Sequence, residues 1–171
     1  MMHLSFADIL NLLSTVTLVG ALIFTALQVR QAGHARQDRA AITMLQTALS
    51  ENSARVLELL GGIAEGAPAS AVDKLDENAK RAVIEFGLRL EIMGYMVFRD
   101  LVDVTTANDL AGGTILGYWS RAKAWAEATR QRTGHDEFLE WCQWLAEQVM
   151  RRRAREKYVP AYRAYAQWNK T

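Results

Sequence analysis

The sequence predicts an all-α fold: a single N-terminal transmembrane helix that continues into a small antiparallel helical bundle. Three observations carry this. Residues 9–29 hold no charged side chain across 21 positions. The rest is rich in Ala, Leu, Arg and Glu, with two prolines in 171 residues, a composition that favours helix. No stretch alternates apolar and polar residues with a strand's period of two, and no Asn-Gly hairpin turn occurs.

At 1.5 Å per residue, a helix over residues 9–29 would span roughly 30 Å, the thickness of a bilayer's hydrocarbon core. Twelve of its residues are Leu, Ile, Val or Phe. Their summed insertion preference is about −4 to −7 kcal/mol. Asn11 and Gln28 lie near the ends, where polar groups cost less. Ser14, Thr15, Thr17 and Thr25 can bond carbonyls of their own helix. No Lys or Arg precedes the segment, and Arg30, Arg36 and Arg39 follow it. The positive-inside rule therefore predicts a single-pass protein of the bacterial inner membrane, N-terminus outside, with its remaining domain in the cytoplasm. A cleaved signal peptide is not expected, because Met1-Met2-His3 carries no Lys or Arg. The competing reading is a buried central helix of a soluble bundle. The single cysteine, Cys142, cannot form an intramolecular disulfide and implies no oxidising compartment. The expected division is an anchor over residues 1–32 and a cytoplasmic helical domain over 33–171.

Asn11, Ser14, Ala21, Thr25 and Gln28 fall on one stripe of the apolar segment. Small and polar residues so placed let helices approach and hydrogen-bond across the gap. The stripe predicts a membrane association face, for a homo-oligomer or for another membrane protein.

Downstream, residues 30–61 continue as helix, with Ile42, Leu45, Leu49, Val56, Leu59 and Leu60 on one stripe, until Gly61-Gly62 ends it. Residues 63–72, with Gly66 and Pro68, read as loop. A helix begins near Asp73 or Asp76 and buries Val83, Phe86, Leu90, Met93, Val97 and Leu101. It ends around residues 102–104. Gly87 and Gly94, seven apart, mark a close helix contact. Thr105 or Thr106 caps a third helix over residues 110–132, stopped by Gly134. Its Gly112, Gly113 and Gly117 are expected to face Gly87 and Gly94. A last helix starts near Asp136, carries Phe138, Leu139, Trp141, Cys142, Leu145 and Val149, and is broken or restarted at Pro160.

Ala26-Leu27-Gln28-Val29-Arg30-Gln31 leaves the apolar segment. Leu90-Glu91-Ile92-Met93-Gly94-Tyr95-Met96-Val97-Phe98-Arg99-Asp100-Leu101-Val102-Asp103 precedes Gly112-Gly113-Thr114-Ile115-Leu116-Gly117-Tyr118-Trp119, and Phe138-Leu139-Glu140-Trp141-Cys142-Gln143-Trp144-Leu145 follows. Together these stretches resemble a widespread bacterial family of domain-of-unknown-function proteins with one N-terminal membrane helix and a small helical domain. The resemblance covers nearly the whole chain. It rests on packing motifs rich in Gly and Trp, and it brings no catalytic residues with it.

The chemistry-bearing residues are sparse. His3, His34 and His135 lie on different elements, without Cys or carboxylate at metal-ligand spacing, so neither metal nor cofactor is expected. Gly112-Gly113 is not a phosphate loop, since no strand precedes it and no Gly-Lys-Ser or Gly-Lys-Thr follows. Glu91 and Asp103 are weak pocket candidates, with an Arg such as Arg121 on the next helix as the expected partner of Glu91. Arg151, Arg152, Arg153, Arg155 and Lys157 form a basic run followed by Tyr158, Tyr162, Tyr165 and Trp168, a composition suited to anionic lipid or to a solvated face. Net charge is +1 and no nucleic-acid module is visible, so no nucleic-acid partner is expected. The expected function is that of a membrane-anchored interaction protein, an adaptor, sensor or assembly subunit without a catalytic site. The alternatives are an enzyme or small-ligand binder with a pocket between the Gly-rich helices, and a membrane-perturbing stress or defence effector.

Overall fold

The computed structural model describes residues 17–25, 28, 42 and 51–168. The chain forms two compact units, Met1–Arg39 and Ala40–Thr171. Every regular element among the described residues is helical.

In the first unit, residues 17–25 are helical. Among the described residues, no helix is long and apolar enough to cross a membrane. This overturns the expected single-pass inner-membrane placement, with its N-terminus outside. Of the expected association face, Ala21, Thr25 and Gln28 are helical and exposed, and the Thr25 hydroxyl donates to the Ala21 carbonyl at 2.8 Å. Asn11 and Ser14 lie outside the described residues.

Among the described residues of the second unit, the helices are α1 (Glu51–Gly61), α2 (Ser70–Asp73), α3 (Glu77–Phe98), α4 (Val104–Thr133), α5 (Glu140–Glu156) and α6 (Ala161–Ala164). Helices α3, α4 and α5 build the core, and α1 and α2 pack on it. The buried face of α3 is Val83, Phe86, Leu90, Met93 and Val97, as its spacing predicts. Ile115, Trp119, Ala122, Trp125 and Ala126 meet it from α4, and Cys142, Leu145 and Val149 from α5. Tyr118 is fully buried, and its hydroxyl donates to the Val83 carbonyl at 3.1 Å. The carbonyl is already the acceptor of its own helix, so the phenol is satisfied without opening α3.

The helix ends explain where the boundaries depart from expectation. Asp76 caps α3 by accepting from the Asn78 and Ala79 amides, both at 2.9 Å. Asp76→Ala should therefore cost about 1 kcal/mol of unfolding free energy in urea titration. At the other end α3 stops at Phe98 rather than at residues 102–104. Asp100 takes a left-handed conformation (φ 54°), and the Leu101 amide turns back to the Met96 carbonyl. Leu101 is thereby carried out of the core and is exposed. Asp103, not a threonine, caps α4, and Gly134 closes it in the left-handed region at φ 73°. Helix α5 starts at Glu140 rather than near Asp136, because Leu139 is left-handed (φ 57°, ψ 34°) while its side chain is 1% exposed.

The glycines do not face one another across α3 and α4. A methyl group on Gly87 would meet the Tyr118 hydroxyl and Leu139, and one on Gly94 the Trp141 backbone. A methyl on Gly112 would stand 2.6 Å from Arg153 Nη2, while Gly113 borders open space. Of the two α3 glycines, Gly87 has an α4 side chain as its neighbour, and Gly94 is the close-approach point between α3 and α5.

Candidate functional site

The Gly94 contact brings the first turn of α5 onto α3, and there Glu91 finds its partners. The Trp141 amide donates to one carboxylate oxygen at 3.1 Å and the Cys142 amide to the other at 2.8 Å. These are amides that α5 cannot satisfy internally, and Leu139 offers no side-chain cap. Glu91 thus caps a helix 50 residues away in sequence, with its negative charge at the positive end of the helix dipole. Burial raises its carboxyl above the ordinary value, and the hydrogen bonds from Cys142 and Trp141 oppose the rise without cancelling it. Arg121 is not its partner. Its Nε donates to the Ile63 carbonyl at 3.0 Å, and its Nη1 to Glu65 at 3.2 Å. Arg130 completes the joint from α4, donating to the Phe138 carbonyl and to Gln143 Oε1, both at 2.7 Å.

The other candidate carboxylate is also a cap. Asp103 accepts from the Thr105 amide at 3.1 Å, and hydrogen bonding to Thr105 holds its carboxyl below the usual range. It borders a groove of about 220 Å³ with Phe98, Val104 and Trp144, and Glu91 is not part of that groove. The two carboxylates therefore do not converge on a common cavity. Cys142 is buried, and burial pushes its thiol pKa far upward, away from the reactive thiolate.

The basic run divides in two. Arg151 pairs with Glu147 at 3.2 Å and Arg152 with Glu156 at 2.9 Å, while Arg153 donates to Asn108 Oδ1 at 2.7 Å and covers the Tyr158 ring at 4.0 Å. The first two pairs lie along α5 itself, and Arg153 alone of the three reaches another helix. Arg155 and Lys157 are exposed, as are Tyr162, Tyr165 and Trp168.

What does converge is apolar. At the C-terminal end of α3, the Phe98 ring lies 4.6 Å from Trp141 and 5.9 Å from Trp144. Trp141 also meets Tyr95 edge-on at 5.6 Å. This cluster lies at the surface: Phe98 is 51% exposed, and Ile92, six residues earlier on α3, is 60% exposed. Leu88, Tyr95 and Leu101 extend the exposed apolar surface along and beyond the helix. From sequence, Trp141 is one of the residues carried by the last helix, and this face is not singled out. Its signal was the exposure pattern of α3: Leu88, Ile92 and Tyr95 fall between the buried positions, not among them.

With this geometry in hand, comparison with known families is decisive for kinship. The sequence model of a domain of unknown function, DUF4760, matches residues 15–149. The chain belongs to this family. The match takes in α1 to α4 and α5 as far as Val149, so the Glu91 joint and the aromatic cluster lie within the family domain. Comparison with curated proteins and with solved structures gave no match.

Proposed function

We propose that this chain is a non-enzymatic helical interaction protein whose contact surface is the apolar and aromatic face of α3 and α5. The observation that carries this is the exposure of Ile92, Tyr95 and Phe98, joined through ring contacts to Trp141 and Trp144. Aromatic side chains are enriched where proteins meet, and contiguous apolar surface on a folded domain marks a site of association. The groups that catalysis would draw on support the same reading, because Glu91 and Asp103 are committed as helix caps and Cys142 is buried. Site-specific photo-crosslinking in cells tests it. A photo-crosslinking side chain in place of Phe98 should give discrete protein adducts. The same group in place of the exposed Gln131, at the far end of α4, should give none. Equal yields at both positions would overturn the assignment of this face.

A further inference from the structure

The outer edge of α3 carries a second pattern, out of phase with its buried one. Arg81, Glu85, Leu88, Ile92, Tyr95 and Arg99 follow at steps of four, three, four, three and four residues, and all six are exposed. That alternation holds a seam facing a neighbouring helix, as in a coiled coil. A helix edge that merely borders solvent would carry polar residues in its middle. Here the middle three are apolar and charges stand at the ends.

The charges specify the neighbour. Glu85 lies seven residues before Ile92, and Arg99 lies seven after it. A second copy of the helix, antiparallel and centred on Ile92, places Glu85 of each copy beside Arg99 of the other. A parallel copy would set Glu85 against Glu85 and Arg99 against Arg99. The seam therefore complements itself in one direction only, and that antiparallel pairing closes about a twofold axis. Arg99 is held at its place on the seam: its Nη1 donates to the Tyr95 hydroxyl at 3.1 Å, with the guanidinium 5.8 Å from the ring centroid.

We infer that α3 is a dimerisation helix, on which a second copy of this chain seats its own α3 antiparallel about a twofold axis near Ile92. Leu88, Ile92 and Tyr95 make the contact, and two Glu85–Arg99 pairs close its ends. This rests on the proposed reading of the face as a contact surface and names its occupant.

Cysteine crosslinking of the full chain tests the register. Ile92→Cys lies beside its own symmetry mate, so mild oxidation should convert most of the chain to a disulfide-linked dimer. Cys142 is buried and leaves the parent chain uncrosslinked. Glu85→Cys and Arg99→Cys should each stay monomeric on a denaturing gel, since each thiol lies about 21 Å along the helix from its own mate. Mixed together, they should form a heterodimer. By sedimentation, Glu85→Arg or Arg99→Glu alone should weaken dimerisation about tenfold or more, and the double exchange should restore it. A parent chain that sediments as a monomer, with no disulfide from Ile92→Cys, overturns the second copy as occupant. Efficient self-crosslinking of Glu85→Cys overturns the antiparallel direction. Failure of the disulfide alongside adducts from the Phe98 position to a different protein would leave the contact surface standing without the dimer. Failure of both would remove both.

Discussion

Gly94→Ala is expected to lower the stability of the bundle by about 1–3 kcal/mol, measured by chemical denaturation. In an unconstrained helix interior the same change raises stability by about 1 kcal/mol, so the expected sign is reversed. The reversal comes from the joint. The new methyl group would meet the Trp141 carbonyl oxygen and stand 2.7 Å from its carbonyl carbon. Both are backbone atoms and cannot rotate aside. Helix α5 would have to move as a body, drawing the Trp141 and Cys142 amides away from Glu91. Gly113→Ala is the matched control on α4. Nothing lies within 4 Å of its added methyl, so it should stabilise by about 0.5–1 kcal/mol. Shifts of the same sign in the two variants would mean that α3 and α5 do not approach at Gly94.

Glu91→Ala should cost about 1–3 kcal/mol, because it leaves two helix-end amides without an acceptor in a partly buried place. Glu91→Gln keeps one carbonyl acceptor and should cost less. The parent and Glu91→Gln should also differ in their response to pH. Burial raises the Glu91 carboxyl above its ordinary value of 4.5 in the folded chain. Between 4.5 and the raised value the native state binds more protons than the unfolded state, so unfolding free energy falls as pH rises. The contribution is fully present below the unfolded value, is lost as pH climbs through the folded one, and is constant above it. Glu91→Gln has no such group, so the stability of the parent relative to this variant should decline across that window. Parallel pH profiles for the two would contradict a carboxyl desolvated at the α3–α5 joint.

The fold was legible where one helix decides its own fate. The buried stripe of α3, the cap at Asp76 and the stop at Gly134 are local matters of spacing, side-chain reach and backbone freedom. The beginning of α5 was not legible, because nothing local sets it. Asp136 has the chemistry of a cap, yet the helix starts after a left-handed leucine and takes its acceptor from another helix. The same limit hid the role of Glu91, which from sequence is one carboxylate among many until Gly94 brings α5 within reach. The membrane placement failed for a different reason. Hydropathy scores a window of sequence and does not measure a helix, and among the described residues no helix is long and apolar enough to cross a membrane. The aromatic face was half legible. The residues were noted, but period alone does not tell a second exposed seam from a core stripe.

The cap that α5 borrows from Glu91 also orders events in time. Helices α3 and α4 carry their own start signals, Asp76 and Asp103, and can begin to form as isolated segments of chain. The first turn of α5 has no such signal and must hold Leu139 in a conformation that non-glycine residues disfavour. Its frame is therefore set only on arrival against α3, after a loop of 50 residues has closed. The expected order is that the segment beginning at Glu140 registers only on a surface made earlier, so that docking and the winding of its first turn coincide.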